Sequence, residues 1–407
     1  MLNKIFKIIS FYDNARWSSK SNYNLINFYQ EKLSDDSKLL THWLCYITDR
    51  QMDFKRIWDI GGFIFSELVD SIKKENSIEL LNPDKDISFI KKMIDNGYDF
   101  ISRSKVNENK ILLSYGFKSE EQVTFTSRYY PSDYFSILYT FDVLKHFDYS
   151  LTKYIVNQLY KHKDSNDYIK RLLFSLYLLT YYEIGQPQKD DLGKFKKNLE
   201  KAKKRTEKIL KLLDDDNKNK EIFNNEYKKF LSKGNIFKQK RAWCSLRDFF
   251  KSPEFKPFFE NSLKSENVDS EIIKKLFTIN SFQQFELPGD IWNNNLKFRN
   301  CILEKTEYET SKKSLNIILR EFFEKNKSEL KNCYPEQFDI TFDFVPRMCE
   351  NNNCDICPIG LIKEKVKSNF KKTCVQNKNL YCSVALTNCN YKIDCIENKC
   401  DLIKYFA

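Results

Sequence analysis

Thiols are the residues whose spacing most clearly suits chemistry in this chain of 407 residues. Only Cys45, Cys244 and Cys301 lie before residue 333, so nine of the 12 cysteines crowd into the final fifth. Cys349-x4-Cys354-x2-Cys357-x16-Cys374 offers four thiolates, and Cys382-x6-Cys389-x5-Cys395-x4-Cys400 offers four more. A CxxC step lets two thiolates converge on one metal from a tight turn; the second group lacks that step and gives a weaker signal. No histidine lies in the tail, so ligation would be all-thiolate, which suits zinc or an iron–sulfur cluster. Cys357-Pro358 favours the cluster, of the 4Fe–4S kind, because a Cys-Pro pair closes many cluster-binding runs. Whether Cys374 or Cys382 completes the first site is left open. With no carboxylate or vacant position evident among the ligands, such a site would hold structure.

The rest of the chain has to position something beside that tail. Its length suits two or three domains, or one large domain with an appended module. Lys and Arg total 68 against 56 Asp and Glu, a net charge of +12, which suits a polyanionic partner, although a Lys-, Asn- and Ile-rich composition also reflects AT-rich coding. No run reaches the roughly 18 apolar residues of a membrane span, and the apolar run after Met1 is too short for a signal peptide. The expectation is therefore a cytoplasmic protein with no membrane partner, whose thiols are kept reduced. Nine glycines in 407 residues, with neither GxGxxG nor GxxxxGK[ST], remove the main support for phosphate-loop and dinucleotide readings.

Long periodic runs predict helices. Leu39–Val69 is apolar enough for two buried helices, and His42 with Cys45, one turn apart, reads as a packed core pair rather than a catalytic or metal pair. Residues 84–130 are mixed and polar and suit a loop and a hairpin. A helix is expected from Pro131 through Phe147, with Ser132 or Asp133 as cap, and two more over Leu151–Tyr182. Leu192, Phe195, Leu199, Ala202, Thr206, Ile209 and Leu213 alternate spacings of three and four, one apolar seam on a long helix. The other face of that helix is lysine-rich, either a solvated face or a nucleic-acid-facing stripe. Asp214-Asp-Asp216 opposes the C-terminal dipole, so the helix should fray there into a linker.

Between Lys228 and Phe250, basic residues interleave with aromatics. Lys238, Arg241, Trp243 and Arg247 are the candidates for a surface that tracks phosphates and stacks bases. An amphipathic helix burying Trp243, Leu246 and Phe250 explains the same pattern equally well. Pro288-Gly-Asp290 precedes a helical run, where Asp290 serves as an N-cap or as a catalytic carboxylate. Leu315, Ile318, Leu319, Phe322 and Phe323 mark another amphipathic helix, and Pro335 to Pro346 should lead into the tail in extended form.

Three features in order resemble the helix-hairpin-helix superfamily of DNA glycosylases, particularly its endonuclease-III-type and archaeal oxoguanine members. They are an apolar helix ending in Ile47-Thr-Asp-Arg-Gln51, the Pro288-Gly-Asp290 helix start, and the trailing cysteine cluster with its Cys-x-x-Cys-Pro. The resemblance implies that Asp290 stabilises an oxocarbenium-like sugar or activates the nucleophile, and that Lys240 attacks the sugar in a bifunctional enzyme. It also implies that Gln51 fills the gap left by a flipped base. A lysine nucleophile must be partly desolvated to be neutral near pH 7. The family's LPGxGxK hairpin is absent, its Cys-x6-Cys-x2-Cys-x5-Cys spacing is not matched, and residues 84–230 have no counterpart.

The sequence thus predicts a mostly α protein with a glycosylase-like multi-helix core and a C-terminal cysteine-rich metal module. The expected segments are 1–83, the N-terminal part of the core; 84–235, a helical insertion or second helical domain; 236–345, core carrying Asp290; and 346–407, the metal module. The expected activity is excision of a damaged or modified base, a DNA repair hydrolase acting on duplex DNA as a monomer. The alternative is a non-enzymatic nucleic-acid-binding protein whose tail holds zinc or iron–sulfur for folding.

Overall fold

In the computed structural model the described residues are 33–48, 131–180, 192–213, 217–232, 236–285 and 315–338, with 2, 3, 6, 7, 9, 10, 65, 66, 69 and 73. They are mostly helical and contain no strand. In chain order the helices are α1 (Asp35–Thr48), α2 (Pro131–Leu144), α3 (Leu151–His162), α4 (Tyr168–Leu178), α5 (Leu192–Leu213) and α6 (Asn217–Ser232). There follow α7 (Ile236–Lys251), α8 (Phe255–Ser265), α9 (Ser270–Leu276), the single turn α10 (Ile279–Phe282) and α11 (Leu315–Lys325). Among the described residues no helix is long and apolar enough to cross a membrane.

Helix α1 is central, packing against α2, α3, α7 and α8. Leu39, Leu40, Trp43, Leu44 and Ile47 are all buried, as the apolar run from Leu39 predicts. Its start is well specified: the Ser34 hydroxyl accepts from the Ser37 N–H at 3.2 Å, and Asp35 and Asp36 occupy the first turn, where carboxylates favour the dipole. Asp36 also reaches across to accept from the Thr152 N–H at 2.7 Å. One carboxylate therefore joins the first turns of α1 and α3.

Helix α7 is the second pillar. From Ala242 through Phe250 every residue is buried, the charged Arg247 and Asp248 included. A helix enclosed on all sides has no polar face to give water, so its charges must find partners inside. One continuous apolar cluster runs from Leu39 to Phe285 and draws on all three upstream segments.

Among the described elements, helix α5 packs mainly on α2 and α6. Its seam behaves as its spacing predicts, with Thr206, Ile209 and Leu213 buried. Residues 214–216, where the helix should fray into a linker, lie outside the described residues, and helix α6 begins at Asn217. Phe223, Tyr227 and Phe230 are its buried stripe, and they meet Phe174 at ring-centroid distances of 5.1, 5.7 and 5.0 Å. Aromatic burial of this size outweighs poor propensity in an Asn- and Lys-rich segment.

The N-terminal residues and α11 form a smaller apolar layer. Phe6 meets Phe322, Phe323 and Phe338. Lys251 of α7 then pairs with Glu336 at 2.9 Å, with side-chain exposures of 6% and 1%. This buried bridge fixes residues 330–338 on the main core. Pro335–Phe338 makes a helical turn instead of the expected extended lead, and the remainder of that lead lies outside the described residues.

Candidate nucleic-acid interface

Lysine positions on α5 repeat with the period of the helix itself. Lys194, Lys197, Lys201, Lys204, Lys208 and Lys211 are spaced three, four, three, four and three residues apart, which places them on one face. The apolar seam occupies the opposite face and docks on the core, so the lysine row is the side turned away. Lys201, Lys204, Lys208 and Lys211 are exposed, and among the described residues none of the four is held in an ion pair. Glu200 and Glu207, the only acidic residues of α5, fall beside the row, not within it. At 1.5 Å per residue the six positions extend over roughly 25 Å. Arg205, off the row, is used internally: its guanidinium donates to the Thr180 carbonyl at 3.3 Å and lies 5.7 Å from the Tyr139 ring.

A groove of about 950 Å³ opens beside the last turn of this ridge. Leu212 is on its wall, with α3 contributing Lys153, Tyr160, Lys161 and His162, α4 Arg171, and α6 Lys220 and Phe223. The Lys161 ammonium donates to the Leu213 carbonyl at the end of α5, answering an orphan acceptor of the helix terminus. His162 stacks on Phe223, centroids 4.9 Å apart. Tyr160 is 40% exposed.

The charged groups of α7 are arranged very differently. Asp248 Oδ2 accepts from the Tyr46 hydroxyl at 2.6 Å and lies 3.3 Å from His42 Nε2, while Oδ1 accepts from Arg247 Nε at 3.2 Å. Burial by itself would push the Asp248 carboxyl up; the Arg247 guanidinium, with His42 and Tyr46, overcomes this and holds it at about 2. Burial keeps the His42 imidazole below its ordinary range and raises the Tyr46 phenol, with the Asp248 charge adding to the rise. Phe255 covers the imidazole at 3.7 Å between centroids. The cluster is a sealed polar knot joining α1 to α7. His42 and Cys45 are the packed core pair expected of them, both buried.

No family model, curated protein or solved structure matches this chain. The assignment of a site therefore rests on placement alone. Trp243 and Arg247 are 2% and 4% exposed, with the guanidinium 5.4 Å from the indole ring; they face the core and present nothing to a duplex. Leu246 and Phe250 are buried with them, so α7 follows the amphipathic-burial alternative and, from Ala242 to Phe250, extends it to every side. Arg241 is half-buried and donates to the Ile47 carbonyl at the end of α1. Lys238 and Lys240 lie on α7, but their side chains are not among those described. Gln51, Asp290 and the cysteines Cys349, Cys354, Cys357, Cys374, Cys382, Cys389, Cys395 and Cys400 lie outside the described residues.

Proposed function

We propose that the protein binds nucleic acid through the lysine ridge of α5. One observation carries this reading: six lysines at helical spacing in the sequence of one helix, of which Lys201, Lys204, Lys208 and Lys211 are exposed, opposite a docked face, and unpaired among the described residues. Six ammonium groups flanked by the two carboxylates of Glu200 and Glu207 keep a net positive charge and gain when a phosphate row replaces their small counterions. Contacts of this kind fix position on the backbone and read no sequence.

The thiolates of the tail supply a metal module, iron–sulfur by preference and zinc as the other donor-compatible choice. Support comes from the donor set and from the anchoring of the preceding segment, since the Lys251–Glu336 bridge holds the chain shortly before Cys349. Iron with broad visible absorption after anaerobic purification identifies the cluster; colourless protein with stoichiometric zinc identifies the other.

The binding reading is tested by fluorescence anisotropy with a labelled 20-base-pair duplex over a salt series. Tight, steeply salt-dependent binding that weakens in Lys201→Gln/Lys204→Gln/Lys208→Gln/Lys211→Gln is expected; absence of binding at low salt contradicts it. Abasic-site formation on modified-base duplexes, lost in Asp290→Asn, would add the base excision that the glycosylase resemblance implies.

A further inference from the structure

Resting on the proposed ridge, we infer that the groove at its C-terminal end receives unpaired nucleotides, so that the preferred ligand is a duplex with a single-stranded extension. Three observations converge on it. The first is continuity: Leu212 lines the groove one residue beyond Lys211, and Lys161 in the groove wall bonds the last carbonyl of the same helix. A backbone followed along the ridge therefore arrives at the groove mouth.

The second is size. About 950 Å³ is the volume of a pocket for a ligand of one or a few rings. A duplex, with its bases stacked inside a rigid rod, is too wide to enter, whereas a splayed strand is not.

The third is chemistry. On the walls Lys153 and Arg171 are held by Asp148 and Asp167, each at 2.8 Å, and Lys161 bonds the Leu213 carbonyl, so among the described residues the exposed Lys220 of α6 is the wall cation left to a phosphate. Tyr160 stands partly exposed there, with the Lys163 ammonium 5.3 Å from its ring. A flat ring beside cations is what an unpaired base and its phosphate require, and stacking tolerates any base. On the ridge no aromatic residue occurs: the one aromatic of α5, Phe195, belongs to the seam. Ridge and groove thus divide the work, backbone grip on one and base stacking in the other.

The test compares a blunt duplex with the same duplex carrying a short unpaired extension, using the full-length protein at fixed salt. The extended duplex should bind about tenfold more tightly. Tyr160→Ala should abolish that preference, each variant's blunt-duplex affinity serving as its own reference, and Tyr160→Phe should retain it. Equal affinity for the two ligands, or a preference that survives Tyr160→Ala, overturns the inference while leaving ridge binding in place. Failure to bind either ligand overturns the ridge reading itself and this inference with it.

Discussion

Helices α5 and α7 are both basic and both carry regular apolar positions, yet their cations do opposite things. On α7, Arg247 meets Asp248 and Lys251 meets Glu336, each inside the core. On α5, Lys201, Lys204, Lys208 and Lys211 are exposed and, among the described residues, have no carboxylate attached. What separates them is enclosure: α7 is packed between α1, α4 and α8, while among the described elements α5 packs mainly on α2 and α6. A cation inside must be paired because its desolvation is otherwise uncompensated. A cation left outside and unpaired is available to a partner. Basicity therefore locates an interface only after packing has been assigned.

That contrast should be sharpest in stability. Lys251→Ala leaves Glu336 buried without its cation and should cost about 3–5 kcal/mol, read as a lower denaturant midpoint. The double variant Lys251→Met/Glu336→Leu should recover most of the loss, because two apolar groups replace two charges. A loss below about 1 kcal/mol for the single variant would place the bridge among surface pairs and break the contrast.

Next comes the sealed knot. Asp248→Asn keeps the shape but removes the charge that faces Arg247 and His42, and a loss of about 2–4 kcal/mol is expected. Its acid response has a definite sign. The contribution of Asp248 is complete above the ordinary carboxylate value of 3.8 and disappears as pH falls through about 2. His42 acts in a higher window. Because its folded value is lowered, the unfolded chain takes up the proton first, and stability falls as pH drops below 6.5. Urea midpoints measured at pH 7.5 and 5.5 should differ in the wild type and converge in His42→Gln. An unchanged pH response in that variant would mean that the imidazole is not sealed from water.

Much of this arrangement is legible in the sequence, and the reason it is incomplete is geometric. The seam of α5 and the burial around Leu39 follow from local periodicity, which a short window contains. Helix α6 was equally available in the spacing of Phe223, Tyr227 and Phe230, but three aromatic positions among Asn and Lys make a weak local signal until Phe174 is placed against them. The row of lysines on α5 was also written in the spacing once the opposite face was known to dock. Trp243 and Arg247 were ambiguous because a base-stacking surface and a buried helix use the same residues. Only the positions of α1 and α8 decide between them. The partner of His42 is 206 residues away at Asp248, and no local pattern announces such a contact. The groove likewise draws its walls from α3, α4, α5 and α6.

The smallest stability change is expected on α5, where replacing exposed lysines with glutamine should alter unfolding by no more than about 0.5 kcal/mol. The same substitutions should have the largest effect on binding. The most direct measurement is therefore the slope of log K against log salt for duplex binding by the wild type and by Lys201→Gln/Lys204→Gln/Lys208→Gln/Lys211→Gln. The account predicts that the slope becomes shallower by about 0.9 for each lysine that contacted a phosphate, with the melting temperature preserved. An identical slope in a folded quadruple variant would contradict it and move the polyanion site elsewhere on the molecule.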